Sequence, residues 1–169
     1  MANTYSFISK VVVGSGGASS ISFTSIPQTY SDLKLIFSGK TNNNSWVSYF
    51  LDINGSALNI SQQQLTGNGS AMSASINGSQ TFLSNTWYSA TDAGFSAVEI
   101  YIADYSSSNA NKILQHTGGS EANQTTAYAA LIGGRLNSSS PITSFTIGEV
   151  GATIQQNTTA YLYGISRTV

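Results

Sequence analysis

The chain has 169 residues, seven acidic and six basic side chains, a net charge near −1 and no cysteine, which is about the length of one domain. Charged residues make up 8%, against about 25% in an ordinary soluble domain, and Ser, Thr, Asn and Gln take over the polar role at about 41%. Four lysines and two arginines scattered along the chain cannot neutralise a run of phosphates, which argues against a nucleic-acid partner. The missing cysteines remove disulfides and thiolate chemistry.

Forty per cent of the residues are apolar, enough for a hydrophobic core, and a single folded domain over residues 1–169 is expected. The start, Met1-Ala-Asn-Thr-Tyr5, has neither the basic region nor the apolar stretch of a secretory leader. No apolar run approaches the roughly 18 residues of a membrane span. These two readings predict a soluble chain with no membrane partner.

Apolar runs are short, rich in β-branched and aromatic residues, and bounded by Gly, Asn, Ser or Pro, the pattern of strands and turns. Ten strands are predicted: Tyr5–Val13, Ser20–Ile26, Leu33–Gly39, Trp46–Ile53, Thr81–Asn85, Phe95–Ile102, Lys112–His116, Ala127–Leu136, Ile142–Glu149 and Thr159–Ile165. Period-two alternation is plain in Ile21 and Phe23, in Leu33, Leu35 and Phe37, in Phe145 and Ile147, and in Ala160, Leu162 and Gly164. Such alternation puts one face of each strand on a core. Gly14-Ser15-Gly16-Gly17 reads as a strand connection, since no Lys-Ser/Thr pair follows that would make it a phosphate cradle.

Asn54-Gly55 and Asn77-Gly78 carry the positive-φ preference of tight type I′ turns, and both are expected to be hairpin tips. Between them, Ser56–Ser75 is too long for a usual connection and reads as a polar surface excursion with room for one short strand. About ten short strands without helical periodicity predict an all-β fold, an antiparallel β-sandwich of jelly-roll-like type, with a closed barrel as the alternative.

The sequence offers little chemistry. His116 is the sole histidine, and a triad built on it with Asp104 or Glu121 would still need a serine that no Gly-x-Ser-x-Gly motif marks. A solvated or hydrogen-bonded histidine at a strand end is the expectation. One His and no Cys do not make a zinc site, and Asp52-Ile-Asn54-Gly55 lacks the remaining ligands of a calcium loop. No close carboxylate pair suggests glycoside hydrolysis. The reading is therefore no catalytic residue, no metal and no cofactor. Trp46, Trp87 and Tyr88 stand beside polar loops, where aromatics either stack on sugars and docking partners or plug the ends of a sandwich.

The segment Ser22-Phe23-Thr24-Ser25-Ile26-Pro27-Gln28-Thr29-Tyr30-Ser31-Asp32-Leu33-Lys34-Leu35 resembles one found in small structural proteins of tailed bacteriophages: an apolar strand, then Ile-Pro-x-x-Tyr-x-x-Leu, then a second strand. The end of the chain fits the same pattern, with Pro141-Ile142-Thr143-Ser144-Phe145-Thr146-Ile147 ahead of a last strand, Tyr161-Leu162-Tyr163-Gly164-Ile165. The middle, from Gly55 to Gly94, has no feature that aligns. What the resemblance implies is a jelly-roll-like virion component on the capsid surface, a head decoration or cement protein whose partner is the major capsid protein. Homo-oligomers, such as trimers at threefold positions, are expected with it.

Within that reading, residues 1–7 are expected to form an N-terminal docking arm, with Tyr5 and Phe7 as the capsid contacts, by strand addition to a neighbour's sheet. The alternative is a receptor- or glycan-binding module on a tail or fibre, using Trp46, Trp87 and Tyr88 as stacking platforms. The absence of heptads or a repetitive shaft weighs against the fibre.

Overall fold

Eleven antiparallel strands form two sheets in the computed structural model, which describes residues 4–43, 49–55, 60–80, 94–121, 127–149 and 151–167. The strands are β1 Tyr5–Val12, β2 Ser20–Phe23, β3 Asp32–Gly39, β4 Tyr49–Ile53, β5 Ile60–Gly67, β6 Met72–Gln80, β7 Ser96–Ala103, β8 Lys112–Glu121, β9 Ala127–Leu136, β10 Phe145–Glu149 and β11 Thr159–Ile165. One sheet has eight strands in the order β1-β11-β3-β7-β8-β9-β5-β6, and the other has three in the order β2-β10-β4. The chain is thus the all-β antiparallel sandwich that the alternation predicts. From β1 to β4 it crosses between the sheets at every step, and it does so again from β10 to β11. That is winding of a jelly-roll kind, carried by one very wide sheet and one narrow one.

The alternating residues are the core. Leu33, Leu35 and Phe37 of β3, Val98, Ile100 and Ile102 of β7, and Ala160 and Leu162 of β11 face Ile21, Phe23, Leu51, Ile53, Phe145 and Ile147 of the narrow sheet, all buried. Phe37 meets Tyr49 across the sandwich edge to face, centroids 4.9 Å apart, a favoured aromatic geometry. Burying a side chain of this size contributes about 1.5–3 kcal/mol, so this half of the wide sheet carries most of the hydrophobic stabilisation.

The Ile-Pro-x-x-Tyr segment works as its sequence suggests. β2 ends before Pro27, Gln28 pins the link by donating from Nε2 to the carbonyls of Ile26 (2.9 Å) and Ile142 (2.8 Å), and the Tyr105 hydroxyl donates to the Pro27 carbonyl. Tyr30 packs against the core and Leu33 is buried at the start of β3.

Three expectations are corrected. Ser56–Ser75 is not an excursion but contributes all of β5 and the start of β6, a hairpin whose tip is Asn68–Ala71, with Asn68 Oδ1 accepting from the Ala71 N–H at 2.7 Å. Its alternation of Gln, Ser and Thr with few apolar residues hid the period of two. Asn77-Gly78 is no hairpin tip: it lies inside β6, where Asn77 pairs with Gln62 of β5. Asn54 and Gly55 do turn with positive φ (56° and 71°), but β4 and β5 belong to different sheets, so this turn closes no hairpin. Instead Asn54 clamps the approach to β10, donating to the Pro141 carbonyl (2.8 Å) and accepting from the Thr143 N–H (2.8 Å). The predicted strand Thr81–Asn85 lies outside the described residues.

Candidate interaction surfaces

The wide sheet ends in two unlike edges, and the side chains that stand out from it divide accordingly. At one edge β1 pairs with β11, Tyr5 opposite Ile165 and Phe7 opposite Tyr163. Tyr5 and Phe7 share the outward face and are 53% and 57% exposed, a large apolar area to leave in water. Both are braced. Phe7 packs edge to face on Tyr163, centroids 5.9 Å apart, and the Lys34 ammonium lies 5.6 Å from the centre of the Tyr5 ring while pairing with Glu99 at 2.7 Å. β1 is bulged, its register with β11 shifting between Phe7 and Ser9, and carries the exposed Lys10, two devices that discourage a further strand from adding to it.

Near this edge Asp32, buried at the start of β3, collects Arg167 Nε at 3.1 Å, the Tyr101 hydroxyl at 2.6 Å and the Asp104 N–H at 2.9 Å. Burial alone would raise its pKa, but these donors outweigh burial and hold the carboxyl below its ordinary value. Arg167 also reaches Asp104 at 2.9 Å. The cluster ties the chain end to β3 and β7, and with every acceptor engaged it reads as a fastening.

At the opposite edge β6 pairs only with β5 among the described residues. Outward from β9, β5 and β6 stand Leu131, Leu65, Met72 and Ile76, exposed at 53%, 47%, 79% and 79%. Leu131 and Leu65 are direct cross-strand partners, and Leu65 faces Ala74. With Gln63 and Gly133 they line an open groove of about 750 Å³. No Asp, Glu, Lys, Arg or His occurs between Ile53 and Thr91, so this hairpin is free of charge.

The inner face of the same half is mixed where the other half is aliphatic: polar groups are buried beside Ile60, Leu114, Ile132 and Leu136. Gln62, Thr66, His116 and Ser120 are buried there. His116 is therefore not the solvated or hydrogen-bonded strand-end residue expected. It lies within β8 between Ile100 and Ile132, 2% exposed, with no partner for Nε2 among the described residues, and desolvation pulls its pKa down to about 4. The triad considered for it does not assemble with Asp104, whose carboxylate is held by Arg167. Among the described residues no group of three or more His, Asp or Glu is placed to hold a metal ion.

Lys112 was missed by sequence reasoning altogether. It is fully buried, and its ammonium donates to the carbonyls of Ser107 (2.6 Å), Ala110 (2.8 Å) and Ser139 (2.9 Å), which uses all three protons. It stitches the β7–β8 loop to the β9–β10 link, a role no local motif announces.

Of the predicted contact residues, Tyr5 and Phe7 stand together on β1. They are a paired strand of the chain's own sheet, so over Tyr5–Phe7 the expected arm is a fixed edge and not a segment free to be donated. Trp46, Trp87 and Tyr88 lie outside the described residues. Comparison of the chain with protein-family models, curated proteins and solved structures finds no match.

Proposed function

We propose that this chain is a non-enzymatic structural protein of a phage virion that binds the outside of the capsid and holds adjacent major capsid subunits together, gaining occupancy from its affinity for the assembled shell. The observation that carries the reading is the braced aromatic pair: Tyr5 and Phe7, each more than half exposed, are set on a rigid strand and held by Tyr163 and Lys34. Exposed aromatics whose position is already fixed give up little conformational freedom on contact, and aromatic anchors of this kind dominate protein interfaces. The phage-like segment Ile26–Leu33 supplies the partner class, and the scarcity of charge keeps such a contact free of buried unpaired ions.

The test is cryo-electron microscopy of purified particles with and without this protein, paired with heating of the two populations. The proposal expects density on the capsid lattice and earlier capsid failure when the protein is absent. A Tyr5→Ser, Phe7→Ser double variant should fold and lose occupancy. Density confined to a tail or fibre tip would replace this reading with host recognition.

A further inference from the structure

Among the described residues the β5–β6 hairpin borders the wide sheet, and over Met72–Asn77 its edge strand is plain. From Met72 to Asn77 the pairing with β5 is regular, and the one bulge of β6, an extra residue between Asn77 and Gln80 opposite Ile60–Gln62, lies beyond that segment. The strand holds no proline and no charged residue. Charges, prolines and bulges are the features by which sheet edges are ordinarily blunted; β1 at the far side of the same sheet has a bulge and a lysine within its length, whereas β6 has only the bulge past Asn77 and leaves Met72–Asn77 plain.

We propose that β6 is a self-association edge, pairing antiparallel with β6 of a second copy of this chain about a two-fold axis. Three observations select a second copy as the occupant. An antiparallel edge turned onto itself by a two-fold axis presents the same alternation of N–H and C=O groups to its copy, so every unpaired backbone group of the regular segment gains a partner. A charged strand turned onto itself sets like charges near one another, which destabilises the pair, and this stretch has no charge from Ile53 to Thr91. Met72, Ala74 and Ile76 share the outward face, Met72 and Ile76 at 79% exposure. Pairing sets these side chains beside their copies and joins the two Leu65–Leu131 strips into one apolar band across the joint sheet. The six regular residues span about 20 Å, a small contact, so association in the micromolar range is expected. The inference stands independently of the virion reading, and it is a two-fold contact where the sequence reading anticipated threefold grouping.

Because the chain has no native cysteine, single-cysteine variants report the contact directly. In an antiparallel pair, directly opposed Cα atoms lie about 4.5–5.5 Å apart, within disulfide reach. Under mild oxidation of the full chain, Ser73→Cys, Ala74→Cys, Ser75→Cys and Ile76→Cys should give cross-linked dimers, with the yield peaking at one position and falling on both sides. Val12→Cys on β1 should give none. Sedimentation of the unmodified chain should show a monomer–dimer equilibrium, and Ile76→Lys should weaken it by at least about tenfold, since the two-fold axis brings both lysines to the joint, while Val12→Lys leaves it unchanged. Circular dichroism checks that each variant is folded. A chain that stays monomeric at about 500 μM, well above the micromolar range expected of so small a contact, would overturn the proposal. So would dimers that survive Ile76→Lys and cross-link through Val12→Cys. A β6 that accepts a foreign strand while the chain alone remains monomeric also counts against it.

Discussion

The two edges of the wide sheet are built from the same backbone and finished in opposite ways. β1 is dressed: bulged after Phe7, marked by Lys10, and faced with aromatics that its neighbours hold in place. β6 is bare over Met72–Asn77: its one bulge lies past Asn77, and the segment is regular and uncharged, with Met72 and Ile76 exposed. Edge chemistry selects partners before shape does. A bulge and a lysine refuse another strand but leave side chains free to dock on a foreign surface, whereas a plain edge offers hydrogen bonds to any strand and, having no charge, can accept its own copy.

The interior follows the same division, and this gives the largest predicted effect. Phe37, at the centre of the aliphatic half, packs on Tyr49. Phe37→Ala should cost about 3–5 kcal/mol in chemical denaturation. A loss below about 1 kcal/mol, the range of volume-conserving swaps, would mean that this half is not the stabilising one.

On β8 His116, in register with Ile100 of β7 and Leu35 of β3, has a pKa of about 4 against an ordinary 6.5. Its folded pKa is depressed, so the neutral form is favoured in the fold and the unfolded chain takes up the proton first as pH falls. Stability is therefore complete above pH 6.5 and declines between pH 6.5 and 4, by about 3 kcal/mol in total. Denaturation series at pH 7 and pH 4 should show this decline, and His116→Leu should flatten it, because the unpartnered Nε2 leaves an apolar side chain of similar size nothing to replace. Asp32, at the dressed side, has a lowered pKa as a carboxylate. Its contribution persists to more acid pH and is lost only as pH falls through that folded pKa. Acid should thus loosen the bare half first, which exchange of backbone amides can localise.

Asn54 gives a smaller effect away from both edges. Asn54→Ala removes four side-chain hydrogen bonds to residues 141–144 and puts a Cβ-bearing residue without a local polar partner at φ 56°, so a loss of about 1–2 kcal/mol is expected. The smallest stability changes belong to the edges themselves. Phe7→Ser and Ile76→Lys should each shift folding stability by no more than about 0.5 kcal/mol, the first lowering particle occupancy and the second splitting the dimer. An exchange of these two outcomes would reverse the assignment of the edges.

The fold was legible wherever alternation was strong. Leu33, Leu35 and Phe37, or Ala160, Leu162 and Gly164, announce both the strand and its buried face, and Tyr5–Val12 and Ala127–Leu136 emerge at or within a residue of their predicted limits. It was illegible where a strand's inward positions are polar. Gln62, Gln64 and Thr66 face inward in β5, so a hydrophobic period of two never appears and the hairpin reads as a loop. Turn chemistry misled for a related reason: Asn77-Gly78 has the composition of a type I′ turn, yet Asn77 pairs with Gln62 and the strand runs on through a bulge to Gln80. Of the candidate surfaces, Tyr5 and Phe7 could be read from the sequence as aromatics beside a polar end. The bare edge could not, because the absence of charge acquires meaning only once β6 is known to lie at the border of a sheet. Lys112 and Asp32 depend on partners 27 and 135 residues away, beyond any local pattern.

Hydrogen exchange read by mass spectrometry, on the free chain at low and high concentration and on the chain bound to particles, tests the division of labour between the edges most directly. Met72–Asn77 should become protected as the free chain is concentrated, while Tyr5–Val12 should gain protection only on the particle. Protection of β1 on concentration, or of β6 solely on the particle, would contradict that division.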